Sequence, residues 1–147
     1  MAALAAFLSL SMVAVAQQSR FAGAADAKAM LERAIAAVKA DKAKAFQMFD
    51  NGQGGFRDRD LFPFCFDVST GKVAATPLKG FVGKDMSGFR DAKGQPYGQQ
   101  LIDAAKEGET NEVSYMFPRP GADHTPVAKV AFVARVGEIG CAVGYYK

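Results

Sequence analysis

The chain has 147 residues, enough for one domain with a substantial core. Half of the residues are hydrophobic and 22% are charged, which is ordinary globular composition rather than that of a disordered or fibrous chain. The 18 Lys and Arg residues outnumber the 15 Asp and Glu by three, and they are scattered along the chain, which argues against nucleic acid as a partner.

Residues 1–16 are apolar and uncharged, with Ala14 and Ala16 at the positions that a secretory cleavage site fills with small side chains. The run is shorter than the ~20 residues that span a bilayer. It is therefore expected to be a signal peptide cut after Ala16, although no Lys or Arg follows Met1 as such leaders usually require. A retained N-terminal membrane anchor is the competing reading. Residues 17–25 then form a linker, and residues 26–147 a single domain.

Residues 26–50 predict one long helix. Ala27, Met30, Leu31, Ala34, Ile35, Val38, Ala45, Phe46 and Phe49 recur at three- and four-residue spacing, and Asn51 and Gly52 supply a stop. A rod of ~25 residues would reach ~37 Å, enough to lie across the back of a small sheet. The connection over residues 52–60 contains Gly52, Gly54 and Gly55. No strand precedes them and no Lys-Ser/Thr follows, so they read as a hinge and not as a phosphate loop.

Residues 61–77 predict a β-hairpin. The aromatic run LFPFCF at 61–66 suits a strand buried on both faces, residues 67–71 suit a turn with Gly71 at positive φ, and Pro77 ends the return strand. Glycine-rich loop follows, with a turn at residues 91–94. A short helix is expected at 97–107 and three strands at 112–117, 127–136 and 139–146. In the middle one of these, Val130 and Phe132 alternate with Ala131 and Val133, so both faces are apolar. The sheet must therefore be covered twice, by the long helix on one side and by the segment 80–108 on the other.

Enzyme chemistry finds no foothold. The one histidine, His124, sits in a Gly/Pro loop, and two cysteines with one histidine fall short of a zinc set. No nucleophile elbow and no dinucleotide fingerprint occur. A binding module is expected instead, with no metal and no cofactor. A structural or interaction protein of the cell envelope is the alternative.

Four pieces of the chain resemble the single Cache domain, the extracytoplasmic, PAS-like sensor module of bacterial chemoreceptors and sensor kinases. They are DLFPFCFD at 60–67 with Gly71, Pro77 with VGKD at 82–85, DAKG at 91–94 with Tyr97, and Tyr115, Pro120 and Lys129 with GCAVGYY at 140–146. The resemblance implies an α+β, PAS-like fold, with the long N-terminal helix packed on a five-stranded antiparallel sheet. It also implies a periplasmic or secreted sensor for chemotaxis or other signal transduction. This chain resembles the stand-alone exported form, whose output would pass through a separate membrane receptor or kinase. Whether it forms a homodimer along the long helix stays open.

The resemblance places a ligand site between the sheet and the loop that covers it. Matching positions are Phe64, Arg90, Asp91, Tyr97, Tyr115, Phe117 and Lys129. In that reading Arg90 or Lys129 clamps a carboxylate, the tyrosine hydroxyls add donors, and Phe64 with Phe117 encloses a short apolar tail. The implied ligand is a small organic acid such as acetate, propionate, lactate or pyruvate. A Cys65–Cys141 disulfide is also implied, since first and last strands are neighbours in PAS-like sheets, with two buried thiols as the alternative. One departure concerns Asn111, Glu112 and Val113, where many relatives carry Gly-Trp-Val; this chain has no tryptophan at all.

Overall fold

The computed structural model describes residues 19–121 and 123–147. The expected leader and its cut after Ala16 lie outside the described residues. Helices α1 (Ala24–Ala40) and α2 (Lys42–Asn51) precede strands β1 (Pro63–Asp67) and β2 (Val73–Ala75). Helix α3 (Tyr97–Ala104) follows, and then β3 (Asn111–Pro118), β4 (Pro126–Val136) and β5 (Ile139–Tyr146). The strands form one sheet in the order β2-β1-β5-β4-β3, each antiparallel to its neighbour.

The predicted single rod is two helices. Asp41 takes an extended conformation (φ −158°, ψ 97°), and its carboxylate accepts the Lys44 backbone N–H at 3.1 Å, so it caps α2 instead of continuing α1. An aspartate can always offer the backbone this alternative, and periodicity does not register it because the apolar stripe resumes on the far side. The stop at Gly52 follows the expected pattern: Gly52 is left-handed at φ 65° and closes α2. The break turns α2 toward the hairpin, where Asp50 accepts the Thr76 backbone N–H at 2.9 Å.

The sheet carries apolar layers on both faces. Met30, Leu31, Ala34 and Phe49 of the helices pack on Cys65, Phe132, Cys141 and Val143. On the opposite face Met86, Tyr97 and Leu101 cover Phe66, Ala131, Val133 and Ala142. The alternation along β4 thus sends Phe132 to the helices and Ala131 and Val133 to the cover, as period-2 geometry requires. Strand β5 needs glycine on the covered face. A Cβ at Gly140 would stand 2.5 Å from the Phe66 ring, which lies over its register partner's backbone.

Cys65 and Cys141 are direct partners in the β1–β5 register, both fully buried, with Cα atoms 4.0 Å and sulfurs 2.12 Å apart. They form a bonded pair inside the helix-side layer.

Candidate functional site

A cavity opens between the sheet and its non-helical cover. Phe62 just before β1 and Phe64 on it, Tyr115 and Phe117 on β3, Lys129 on β4 and Tyr97 on α3 line it, with Leu78 and Phe81 from the covering loop. Its empty space, mouth included, is about 400 Å³. Only about 20 Å³ of it can hold the centre of a water-sized sphere, room for about one water, so a larger guest needs the covering rings to move aside.

Strand geometry explains the grouping. Residues two apart share a face, so Phe62 and Phe64 of the aromatic run join the site together, as do Tyr115 and Phe117. Tyr115 and Lys129 are register partners across β3 and β4. Tyr97 stacks on Tyr115 with ring centroids 4.5 Å apart and planes within 6°. Edge contacts then run from Phe64 to Phe81 and on to Phe89, at 6.2 Å and 5.7 Å. Aromatic rings make up much of the wall, with Leu78 and Leu101 completing its apolar part.

Lys129 is the exception to that apolar wall. The residue is 5% exposed, and among the described residues it makes no ion pair and no side-chain hydrogen bond. Its ammonium is enclosed by three rings instead, 5.0 Å from Phe62, 5.0 Å from Phe117 and 5.1 Å from Tyr146. Ring faces attract a cation and so offset part of its lost hydration. Burial still pushes the Lys129 pKa down to about 8, against a smaller opposing pull from Asp60. Room for this side chain comes from β5: a Cβ on Gly144 would stand 2.3 Å from Lys129 Cε.

The tyrosines remain protonated donors at any physiological pH. Burial raises Tyr97 to about 12, with Asp91 adding to the effect, and it raises Tyr115 further still. Tyr146 is also raised to about 12 by burial, and its hydroxyl donates to the Pro118 carbonyl at 2.8 Å. Among the described residues neither the Tyr97 nor the Tyr115 hydroxyl has a hydrogen-bond partner.

Five of the seven residues singled out from the sequence meet here: Phe64, Tyr97, Tyr115, Phe117 and Lys129. Arg90 and Asp91 do not line the cavity. Arg90 is exposed and donates to the Gly94 carbonyl at 3.1 Å. Asp91 accepts the backbone N–H groups of Lys93, Gln95 and Met116, each at 2.9 Å. It thereby closes its own turn and clips that turn to the outer edge of β3. The Met116 N–H is the main cause of its lowered pKa. Asp91→Ala should therefore lower the thermal midpoint, while Arg90→Met should leave affinity for any cavity ligand within twofold, both measurable on the purified variants.

Sequence reasoning missed Phe62, Phe81, Tyr146 and Gly144. Phe62 was recoverable from the same two-residue period that selects Phe64. Nothing local marks the other three, because a loop, a neighbouring strand and a missing Cβ bring them to the site.

Among the described residues no group of three or more His, Cys, Asp or Glu side chains could hold a metal ion, and no helix is long and apolar enough to cross a membrane. The fold is shared with solved sensor domains. A methyl-accepting chemotaxis protein from Vibrio parahaemolyticus RIMD 2210633 superposes with a TM-score of 0.68 and 19% identity, over 83% of this chain and 86% of that one. A periplasmic sensor domain of a chemotaxis protein gives 0.63 and 20%, over 83% and 88%. A Cache chemosensory domain studied for carboxylic acid recognition gives 0.62 and 19%, over 83% and 86%. No curated protein sequence matches the chain. The family model of Single Cache domain 2 matches residues 8–146, nearly the whole length. This chain, with its doubly covered five-stranded sheet and its cavity on the side away from the long helix, belongs to the single Cache domain family.

Proposed function

We propose that the chain is an exported sensor module that binds a small organic acid in the aromatic cavity and acts through a separate receptor or kinase. Lys129 carries this reading. A dehydrated ammonium without a carboxylate partner is costly, and an anionic guest removes that cost through charge-assisted hydrogen bonds. The tyrosine hydroxyls would supply further donors, and Phe64 and Phe117 would take a tail of one or two carbons. A Cache domain of similar fold is known for carboxylic acid recognition, which favours the same ligand class here. The cysteine pair suits an oxidising compartment and supports export. A site with one cation, aromatic walls and no nucleophile–base pair fits capture and release rather than catalysis.

The test is a thermal-shift series with acetate, propionate, lactate and pyruvate, set beside amines, amino acids and purines. A specific acid at 100 times its Kd stabilises by about 2.7 kcal/mol through mass action. Affinity should be flat below pH 8 and fall about tenfold per pH unit above it, because only the ammonium form attracts the anion. A flat series across all four acids would transfer the weight to a structural role in the cell envelope.

A further inference from the structure

The cavity is nearly filled and its lysine is buried, so any guest larger than a water must displace a wall. Most of the walls are tied down. Phe64 sits on β1 opposite Ala142 of β5, and Tyr115 sits on β3 opposite Lys129 of β4, so moving either breaks a strand ladder. The free edge of β3 is held as well, by Asp91 at the Met116 N–H and by the Gln95 amide at the Ser114 carbonyl. Helix α3 is seated just as firmly, since a Cβ at Gly98 would stand 1.8 Å from the Met86 carbonyl oxygen.

Residues 77–82, which carry Leu78 and Phe81 over the cavity, are held differently. Their flanks are pinned: the Thr76 N–H donates to Asp50 at 2.9 Å, and the Gly83 N–H donates to the Val73 carbonyl at 2.8 Å. Between those points the hydrogen bonds among the described residues are local. The Leu78 N–H donates to Thr76 Oγ1, the Phe81 N–H to the Leu78 carbonyl and the Lys84 N–H to the Phe81 carbonyl. None of them reaches β1, β3 or α3. Phe81 is kept in place by its ring, with edge contacts to Phe64 and Phe89 and the Lys84 ammonium 5.7 Å from its centroid. Gly80 and Gly83 take φ of 80° and 86° with open space around them, so the backbone has room to swing.

We infer that residues 77–82 form a strap, hinged at Pro77 and Gly83, that opens to admit the guest, and that Phe81 on it limits the guest's length. The length clause rests on the organic-acid reading; the opening itself does not. The physical reason is the difference in what each wall must break. Lifting the strap costs ring contacts and its own turn bonds, whereas parting the strands costs ladder hydrogen bonds in the core. On closing, the Phe81 ring returns against Phe64 and fills the space that a longer tail would need.

A thiol placed on the cavity wall reads the opening without any ligand. Leu101 lines the cavity at 2% exposure, and both native cysteines are bonded, so Leu101→Cys carries the one free thiol. Its reaction with methyl methanethiosulfonate is timed under native conditions, with hydrogen exchange of β4 core amides as the reference for global unfolding. In this background Phe81→Ala should speed the reaction at least tenfold. Pro77→Gly, which alters no lining side chain, should speed it at least threefold by freeing the hinge. A Pro77→Gly rate within twofold of its parent overturns the strap, whatever Phe81→Ala does, because a faster Phe81→Ala alone is only the hole left by a ring. A parent rate no faster than global unfolding overturns it too. Calorimetry with acetate and pentanoate is the separate arm: Phe81→Ala should improve pentanoate relative to acetate at least tenfold. An unchanged ratio overturns the length clause while leaving the organic-acid reading standing. Binding of neither acid to either protein sinks that reading and the length clause with it, while the thiol rates still decide the strap.

Discussion

Replacing Lys129 with Met is expected to abolish most organic-acid binding while leaving the fold of the ligand-free protein intact. Affinity should fall at least tenfold, about 1.4 kcal/mol, by calorimetry. The stability side follows from burial. A lysine held near pKa 8 in place of its usual value above 10 reflects a cost on the order of 3 kcal/mol for keeping the charge inside. Cation–ring contacts return ~2 kcal/mol each when desolvated, and three of them surround this ammonium. The two effects are of similar size, so Met, which fills the same stem volume, should leave the fold intact. The linkage sign gives an independent check. The folded pKa lies below the unfolded one, so between about pH 8 and 10 the unfolded chain binds more protons than the folded one. Wild-type stability should rise with pH across that window, and the rise should be reduced in Lys129→Met. A variant that loses stability and keeps full affinity would show that Lys129 is only a packing element. Gly144→Ala offers a second route to the same displacement, because its methyl group would occupy the space of Lys129 Cε.

Breaking the Cys65–Cys141 link should have the largest effect on stability. The two residues are 76 apart in sequence, so the bond closes a long loop of the unfolded chain. The entropy it removes there is worth about 2–4 kcal/mol, toward the upper end for a loop of this length. Cys65→Ala with Cys141→Ala should therefore lower stability by that amount in urea titrations, with a small further loss because each sulfur fills core volume. The midpoint in reductant should approach that of the double variant, slowly, since both sulfurs are fully buried and exchange needs a thiolate to reach them. Thiol counting in denaturant provides the direct measurement. Two reactive thiols in an unreduced sample from the cell envelope would remove the basis for this expectation.

Both predictions turn on how far residue order alone constrains a site. The alternation Val130, Ala131, Phe132, Val133 determined that β4 is covered on both faces, because side chains two apart must share a face whatever packs on them. Gly52 marked the end of the second helix for an equally local reason, the cheapness of a left-handed glycine. The aromatic run at 61–66 announced a strand in the middle of the core, and its resemblance to single Cache domains placed Phe64, Tyr97, Tyr115, Phe117 and Lys129 at one site. Asp41 shows where such reasoning stops: capping and helix continuation compete over a few tenths of a kcal/mol to about 1 kcal/mol, too little for composition to decide. Arg90 and Lys129 show it more sharply. Either could clamp an anion by charge, and their sequence neighbourhoods do not rank them. Only the packed structure leaves Arg90 in water and draws Lys129 beneath three rings and across Gly144, because dehydration is imposed by what lies over a side chain and not by what lies beside it in the chain.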